Sequence, residues 1–247
     1  MTLREFFHIH PKVALAFSSG VDSSYLLYEC SRYANDIRAY FVKTPFQPRF
    51  ELEDALRMAK GLNVKLTIIE YDIIKHPEVM ANGPLRCYYC KQKIFSTILN
   101  YAKKDGFTAL IDGTNASDKT SDRPGMRALE EMNVLSPLRL CGLDKDKITV
   151  LSREAGLFTW NKPAYACLAT RIPTGTAIEN SMLELIEKSE DTLRSLGLRD
   201  FRLRISGRDA KLQVDRKEFL TVMDIREKIL DALQESFSEI TLDLKGR

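Results

Sequence analysis

Residues 13–17 read Val-Ala-Leu-Ala-Phe, and the chain then runs without a break into Ser18, Ser19, Gly20, Val21, Asp22, Ser23 and Ser24. A short run that is apolar at every position suits a strand buried on both faces, as in parallel sheets covered by helices. The small residues lead directly into a helical pattern carrying Tyr25, Leu26, Leu27 and Cys30. A strand–loop–helix turn of this kind can aim several backbone N–H groups at one anion, with the helix N-terminus behind them. Gly20 lets a ligand approach the backbone closely, and the hydroxyls of Ser18, Ser19, Ser23 and Ser24 add donors. The Gly-Lys-Ser/Thr ending of a Walker A loop is absent. Without that lysine the loop suits a pyrophosphate leaving group gripped by many neutral donors, with Asp22 orienting Mg²⁺ on the phosphates. The plain alternative is a serine-rich turn that only caps its helix, and the position directly after a buried strand argues against it.

The rest of the chain alternates. Strands are expected over 37–42, 66–71, 109–112 and 134–138, and helices over 52–62, 88–104 and 144–156. This order predicts an α/β domain, a parallel sheet with helices on both faces. The pattern changes after the Pro/Gly-punctuated segment 162–175. A helix carrying Leu183, Ile186, Leu193 and Leu196 leads to strand-like runs at 201–205 and 211–214, a further helix, and a last strand over 240–244. The expected division is therefore a main domain over 1–175 and a small α+β domain over 176–247, within reach for a chain of 247 residues.

Bulk properties narrow the function classes. Hydrophobic residues at 44% and charged residues at 29% are ordinary for a soluble globular chain. A net charge of +3 is too weak to require nucleic acid as a partner, but it suits a substrate bearing phosphates or carboxylates. No stretch approaches bilayer-spanning length, and the N-terminus lacks the apolar core of a signal peptide. The expected location is the cytoplasm, with no membrane partner. There, five cysteines point to metal or catalytic ligands before disulfides.

Cys87-Tyr88-Tyr89-Cys90 places two thiols three residues apart at the start of a helix, where the dipole favours thiolate. Cys167 lies in the segment joining the two domains, while Cys30 and Cys141 read as small core residues. Three candidate ligands fall short of a closed structural zinc site. A 4Fe-4S cluster held by three cysteines leaves one iron open for a sulfide or a substrate atom. A zinc half-site or a redox pair is the alternative for a lone Cys-x-x-Cys. Arg202 and Arg204 alternate along a strand and so share a face, where two guanidinium forks can meet an anion or simply stand in solvent. Arg123 and Arg127 suit either a phosphate contact or a helix start.

These residues carry a resemblance. Residues 18–24 resemble the Ser-Gly-Gly-x-Asp-Ser signature of the PP-loop (ATP pyrophosphatase) superfamily, with Ser19 in place of its first glycine. Asp112-Gly113-Thr114-Asn115-Ala116-Ser117-Asp118 resembles the second nucleotide-contacting element, which marks Gly113 and Thr114 as nucleotide contacts. The resemblance implies an adenine nucleotide α-hydrolase-like fold and a shared chemistry. Members adenylate an oxygen of the substrate, release pyrophosphate, and let a nucleophile displace AMP. More specifically, residues 83–91, 123–129, 136–138 and 166–173 together, in that order, resemble the LarE family along essentially the whole chain. Those sulfur transferases build the nickel-pincer nucleotide cofactor by adenylating carboxylates of pyridinium-3,5-biscarboxylic acid mononucleotide and replacing oxygen by sulfur.

The resemblance implies ATP and Mg²⁺, a small nucleotide substrate, and a tendency to form homo-oligomers through the small domain. Cys167 matches the position whose sulfur some members sacrifice. Members with two further cysteines are similar to cluster-dependent thiolases, which implies a 4Fe-4S centre on Cys87, Cys90 and Cys167. Arg202 and Arg204 match an Arg-x-Arg of the family's C-terminal domain, with Glu190 upstream, and Arg171 follows Cys167 by four residues; all four are substrate-site candidates. The rival readings are an amide-forming synthetase of the NAD synthetase type, a tRNA thiolase, and a catalytically silent zinc- and nucleotide-binding protein.

Overall fold

A computed structural model describes residues 1–118 and 124–247, so Arg123 lies outside the described residues. The chain runs α1 (Leu3–Ile9), β1 (Lys12–Ala16), α2 (Val21–Tyr33), β2 (Asp36–Lys43), α3 (Arg49–Gly61) and β3 (Lys65–Glu70). It continues through α4 (Pro77–Met80), α5 (Arg86–Lys104), β4 (Ala109–Asp112), α6 (Pro124–Glu131), α7 (Pro137–Leu140) and α8 (Lys145–Glu154). Last come α9 (Asn180–Ser195), β5 (Phe201–Ser206), β6 (Asp209–Val214), α10 (Phe219–Asp224), α11 (Arg226–Leu233) and β7 (Glu239–Leu242). Two compact units result, Met1–Ile73 with Leu85–Ala164, and Ile74–Pro84 with Tyr165–Arg247. Residues 74–84 and 165–175 thus group by contact with the second unit.

The first unit is built on a four-stranded, all-parallel sheet in the order β3-β2-β1-β4. The two faces of β1 enter two cores. Val13 and Leu15 pack with Phe6 and Phe7 of α1, Leu26 and Leu27 of α2 and Ile148 of α8. Ala14 packs with Tyr40, with Phe95 and Ile98 of α5, and with Met126 and Leu129 of α6. Helices cover both faces, which is why β1 is apolar at every position after the exposed Lys12. The strand expected over 134–138 is reduced to one bridge, Ile111 to Leu135, because Pro137 opens the short helix α7.

The strand order places the candidate ligand site. The chain leaves β1 toward β2 on one side and returns to β4 on the other, so β1 and β4 flank the topological switch point. An open α/β sheet leaves a crevice there, at the carboxyl ends of the strands. The loops after β1 and β4 are neighbours for that reason.

The second unit carries a three-stranded sheet in the order β5-β6-β7, antiparallel between β5 and β6 and parallel between β6 and β7. Phe201, Leu203 and Ile205 are buried, as are Leu183, Ile186 and Leu193 of α9. The alternate positions Arg202 and Arg204 turn to the other face, half-buried. Asn82 fastens the early segment to this unit, donating from Nδ2 to the carbonyls of Pro173 and Thr176, each at 2.9 Å. Among the described residues no helix is long and apolar enough to cross a membrane.

Candidate functional site

The loop after β1 is an N–H-rich cradle. Among the described residues, none of the backbone N–H groups from Ser18 to Ser23 donates to another protein group. The N-cap of α2 is Gly20, which has no side chain to cap the helix, so its first-turn donors stay available. Ser19 has a φ of 55°, a left-handed conformation that costs an L-residue roughly 1–2 kcal/mol. The position that resembles a glycine is therefore one where glycine's freedom is used, and serine takes it anyway. The serine is fully buried, and its hydroxyl donates to the Glu51 carbonyl at 2.8 Å. Of the four loop serines, Ser18 and Ser23 share a hydroxyl hydrogen bond at 3.1 Å at the mouth, and the Ser24 hydroxyl is buried.

The loop after β4 presses against this cradle. A Cβ on Gly113 would lie 2.9 Å from the Ser23 nitrogen and 3.0 Å from its Cα, so only glycine fits. Asp112 shapes the turn. Its carboxylate accepts from the Thr114 N–H at 3.2 Å, the Thr114 hydroxyl at 2.5 Å and the Ser136 hydroxyl at 2.7 Å.

Three lysines complete the surroundings, none of them evident from local sequence. Lys145, at the start of α8, donates to both carboxylate oxygens of Asp22, at 3.0 and 2.9 Å, and its own N–H donates to Ser117 Oγ at 3.0 Å. It joins the loops after β1 and β4. Lys162 donates to the Ser19 carbonyl at 3.2 Å and to Asp54 at 2.7 Å. Lys91 follows Cys90 on α5; burial holds its pKa below the ordinary value, against the opposing pull of Asp112, Cys87, Asp118 and Cys90. Gly125 of α6 lies so close that a Cβ there would meet the Lys91 side chain at 3.0 Å.

All five cysteines carry thiols rather than disulfides. Cys30 is fully buried in the core, and burial pushes its thiol pKa well up, which makes it inert. Cys87 is exposed and Cys90 half-buried in the first turns of α5, whose N-terminus has no side-chain cap. Three residues apart on a helix, the two thiols lie on one face. Cys167 is half-buried and is the N-cap of a 3₁₀ turn, Leu168–Arg171. Among the described residues, no three His, Cys, Asp or Glu side chains form a ready-made metal site. Arg127, which by sequence suits either a phosphate contact or a helix start, stacks on Tyr88 at 4.2 Å and pairs with Glu131.

In the second unit Arg171 and Glu190 are each 1% exposed. Arg171 donates from Nε to Glu190 at 2.8 Å and from Nη2 at 3.2 Å. Its Nη1 donates to the Ala166 carbonyl at 2.8 Å and the Thr170 hydroxyl at 2.9 Å. Desolvation works against the Arg171 charge, but the hydrogen bonds and charge of Glu190 outweigh it, and the pKa is raised. Glu190 also accepts from the Tyr165 hydroxyl and, at 3.0 Å, from the Leu203 N–H. Arg204 donates to the Thr170 carbonyl at 2.9 Å and to Gln213 at 2.6 Å. Arg171, Glu190 and Arg204 therefore hold the turn that carries Cys167. Arg202 differs. Its Nε is buried without a partner, and burial first, then Arg171 and Arg204, lower its pKa. A half-buried guanidinium with an unpartnered Nε, in the field of two other arginines, is a place for an anion.

No protein-family model matches the chain. An uncharacterized protein of Synechocystis, slr1717, is 30% identical over 99% of this chain and 92% of its own length. The pyridinium-3,5-bisthiocarboxylic acid mononucleotide synthase of Lactiplantibacillus plantarum is 28% identical over 95% of this chain and 86% of its own. The tRNA-specific 2-thiouridylase MnmA of Thermotoga petrophila is 26% identical over 49% of this chain and 40% of its own. An N–H cradle at a parallel-sheet switch point, three thiols that are not fully buried, and relatives of this length together place the chain. It belongs to the LarE family of ATP-dependent sulfur transferases, within the PP-loop superfamily.

Proposed function

We propose that this enzyme adenylates a carboxylate of pyridinium-3,5-biscarboxylic acid mononucleotide and replaces its oxygen by sulfur, in the synthesis of the nickel-pincer nucleotide cofactor. The observation that carries the reading is the N–H cradle of Ser18 to Ser23 in the same chain as the thiols of Cys87, Cys90 and Cys167. A substrate carboxylate attacks the α-phosphorus of ATP, and pyrophosphate leaves into the cradle, where neutral donors and the α2 N-terminus take up its charge. Gly113 and Thr114 line the nucleotide's other side. A sulfur nucleophile then adds to the acyl adenylate, and AMP departs.

Asp22 is the residue that would hold Mg²⁺, whose chemistry is to neutralise the leaving pyrophosphate. Lys145 holds the Asp22 carboxylate in place and brings a cation to the same spot. Arg202 supports an acidic substrate, and its partnerless Nε suits the substrate's phosphate or second carboxylate. The relatives agree in extent, since the match to the mononucleotide synthase covers 95% of this chain and that to the tRNA thiouridylase 49%.

Cys87, Cys90 and Cys167 are the residues that would hold a 4Fe-4S cluster; three non-disulfide thiols, two on one helical turn and none fully buried, suit that donor set. When bound, such a cluster supplies an exchangeable sulfide at the iron the protein leaves unligated. Protein purified without oxygen is expected to be brown, and Cys87→Ala, Cys90→Ala or Cys167→Ala to remove the colour, with iron and acid-labile sulfide measured per chain. Colourless protein that thiolates once per chain and leaves dehydroalanine at position 167 would instead make the Cys167 sulfur the donor.

A further inference from the structure

Ser19 and its carbonyl are fixed from two sides. The side chain is tied to α3 through the Glu51 carbonyl, and the main-chain carbonyl accepts from Lys162. Lys162 is itself held rigidly, paired with Asp54 at 2.7 Å, 5.2 Å from the Phe50 ring centre, and with only 15% of its side chain exposed. Glu51, Asp54 and Phe50 all belong to the first turns of α3, so one helix end backs the loop. The Ser19–Gly20 peptide is trans, and in a trans peptide the C=O and the next N–H point in opposite directions. A cation fixed on the Ser19 oxygen therefore turns the Gly20 N–H away from α3.

We infer that Lys162 is a positioning residue. It holds the Ser19–Gly20 peptide so that the Gly20 N–H points into the anion cradle, and it does so from behind the loop rather than by touching phosphate. The left-handed Ser19 agrees with this role, because an L-residue keeps a positive φ only where its surroundings fix it. The inference rests on the reading of residues 18–24 as the pyrophosphate site.

The test measures binding of inorganic pyrophosphate and of ATP by calorimetry on the full chain. Lys162→Met is expected to weaken pyrophosphate binding by about tenfold, the worth of one hydrogen bond to a charged group, while Lys162→Arg retains most of it. Asp54→Asn gives the decisive sign. If Lys162 works by being held on Ser19, loosening it weakens pyrophosphate binding several-fold. If Lys162 serves as a charge for the phosphates, removing its carboxylate partner tightens binding and overturns the inference. Lys162→Met with unaltered pyrophosphate affinity overturns it too, whatever happens to the melting temperature. Wild-type protein that binds neither pyrophosphate nor ATP would remove the underlying site reading instead.

Discussion

Gly113→Ala is expected to cut ATP-dependent pyrophosphate release by about two orders of magnitude, the usual cost of misplacing reacting groups by roughly an ångström. The methyl group would meet the Ser23 nitrogen, Cα and Cβ at 2.9, 3.0 and 3.1 Å, and the first two are backbone atoms that cannot swing aside. Nor can the turn retreat, since Asp112 ties Thr114 twice and Ser136 once. The strain falls on the first turn of α2, whose N–H groups form the cradle. Gly61→Ala is the control. It ends α3, has nothing within 4 Å of the added Cβ, and is expected to leave pyrophosphate release unchanged. Wild-type rates in Gly113→Ala would contradict the assignment of the cradle.

The second large effect is on stability. Glu190→Gln is expected to destabilise the protein by about 3–5 kcal/mol, because it leaves the Arg171 guanidinium buried without a counter-charge. That is a large part of the roughly 5–15 kcal/mol typical of a folded protein. Urea unfolding should show the midpoint falling with little change in slope. Pairing the substitution with Arg171→Met removes the orphaned charge, and most of the loss should be recovered. Glu53→Gln breaks a pair with Arg49 in which Glu53 is 63% and Arg49 81% exposed, and should leave the midpoint in place. If Glu190→Gln behaves like Glu53→Gln, the buried pair is not what holds the Cys167 turn.

Much of the architecture was legible because it is written in short-range periodicity. The apolar run 13–17, the helical spacing after it and the fourth strand at 109–112 all fall where expected. The helix α1 carries a signal of the same kind, with Leu3, Phe6 and Phe7 at helical spacing behind a Thr2–Glu5 capping box. Residues 134–138 misled because an apolar stretch says nothing of length, and Pro137 starts a helix rather than ending a strand.

The site was legible only in part. Ser18 to Ser24 and Asp112 to Thr114 carry local signatures. Lys145 and Lys162 do not, because their partners Asp22 and Ser19 lie 123 and 143 residues away along the chain. Arg171 and Glu190 show the converse limit. The resemblance marks both as substrate-site candidates, whereas their burial against each other is a property of the packed unit.

The most direct measurement supplies anaerobically purified protein with ATP, Mg²⁺, sulfide and pyridinium-3,5-biscarboxylic acid mononucleotide, and follows the acceptor by mass spectrometry. The expected product is an acceptor heavier by the difference between sulfur and oxygen, with one AMP and one pyrophosphate formed per exchange. An acceptor that gains no sulfur, and is converted to an amide when ammonia is supplied, would contradict it.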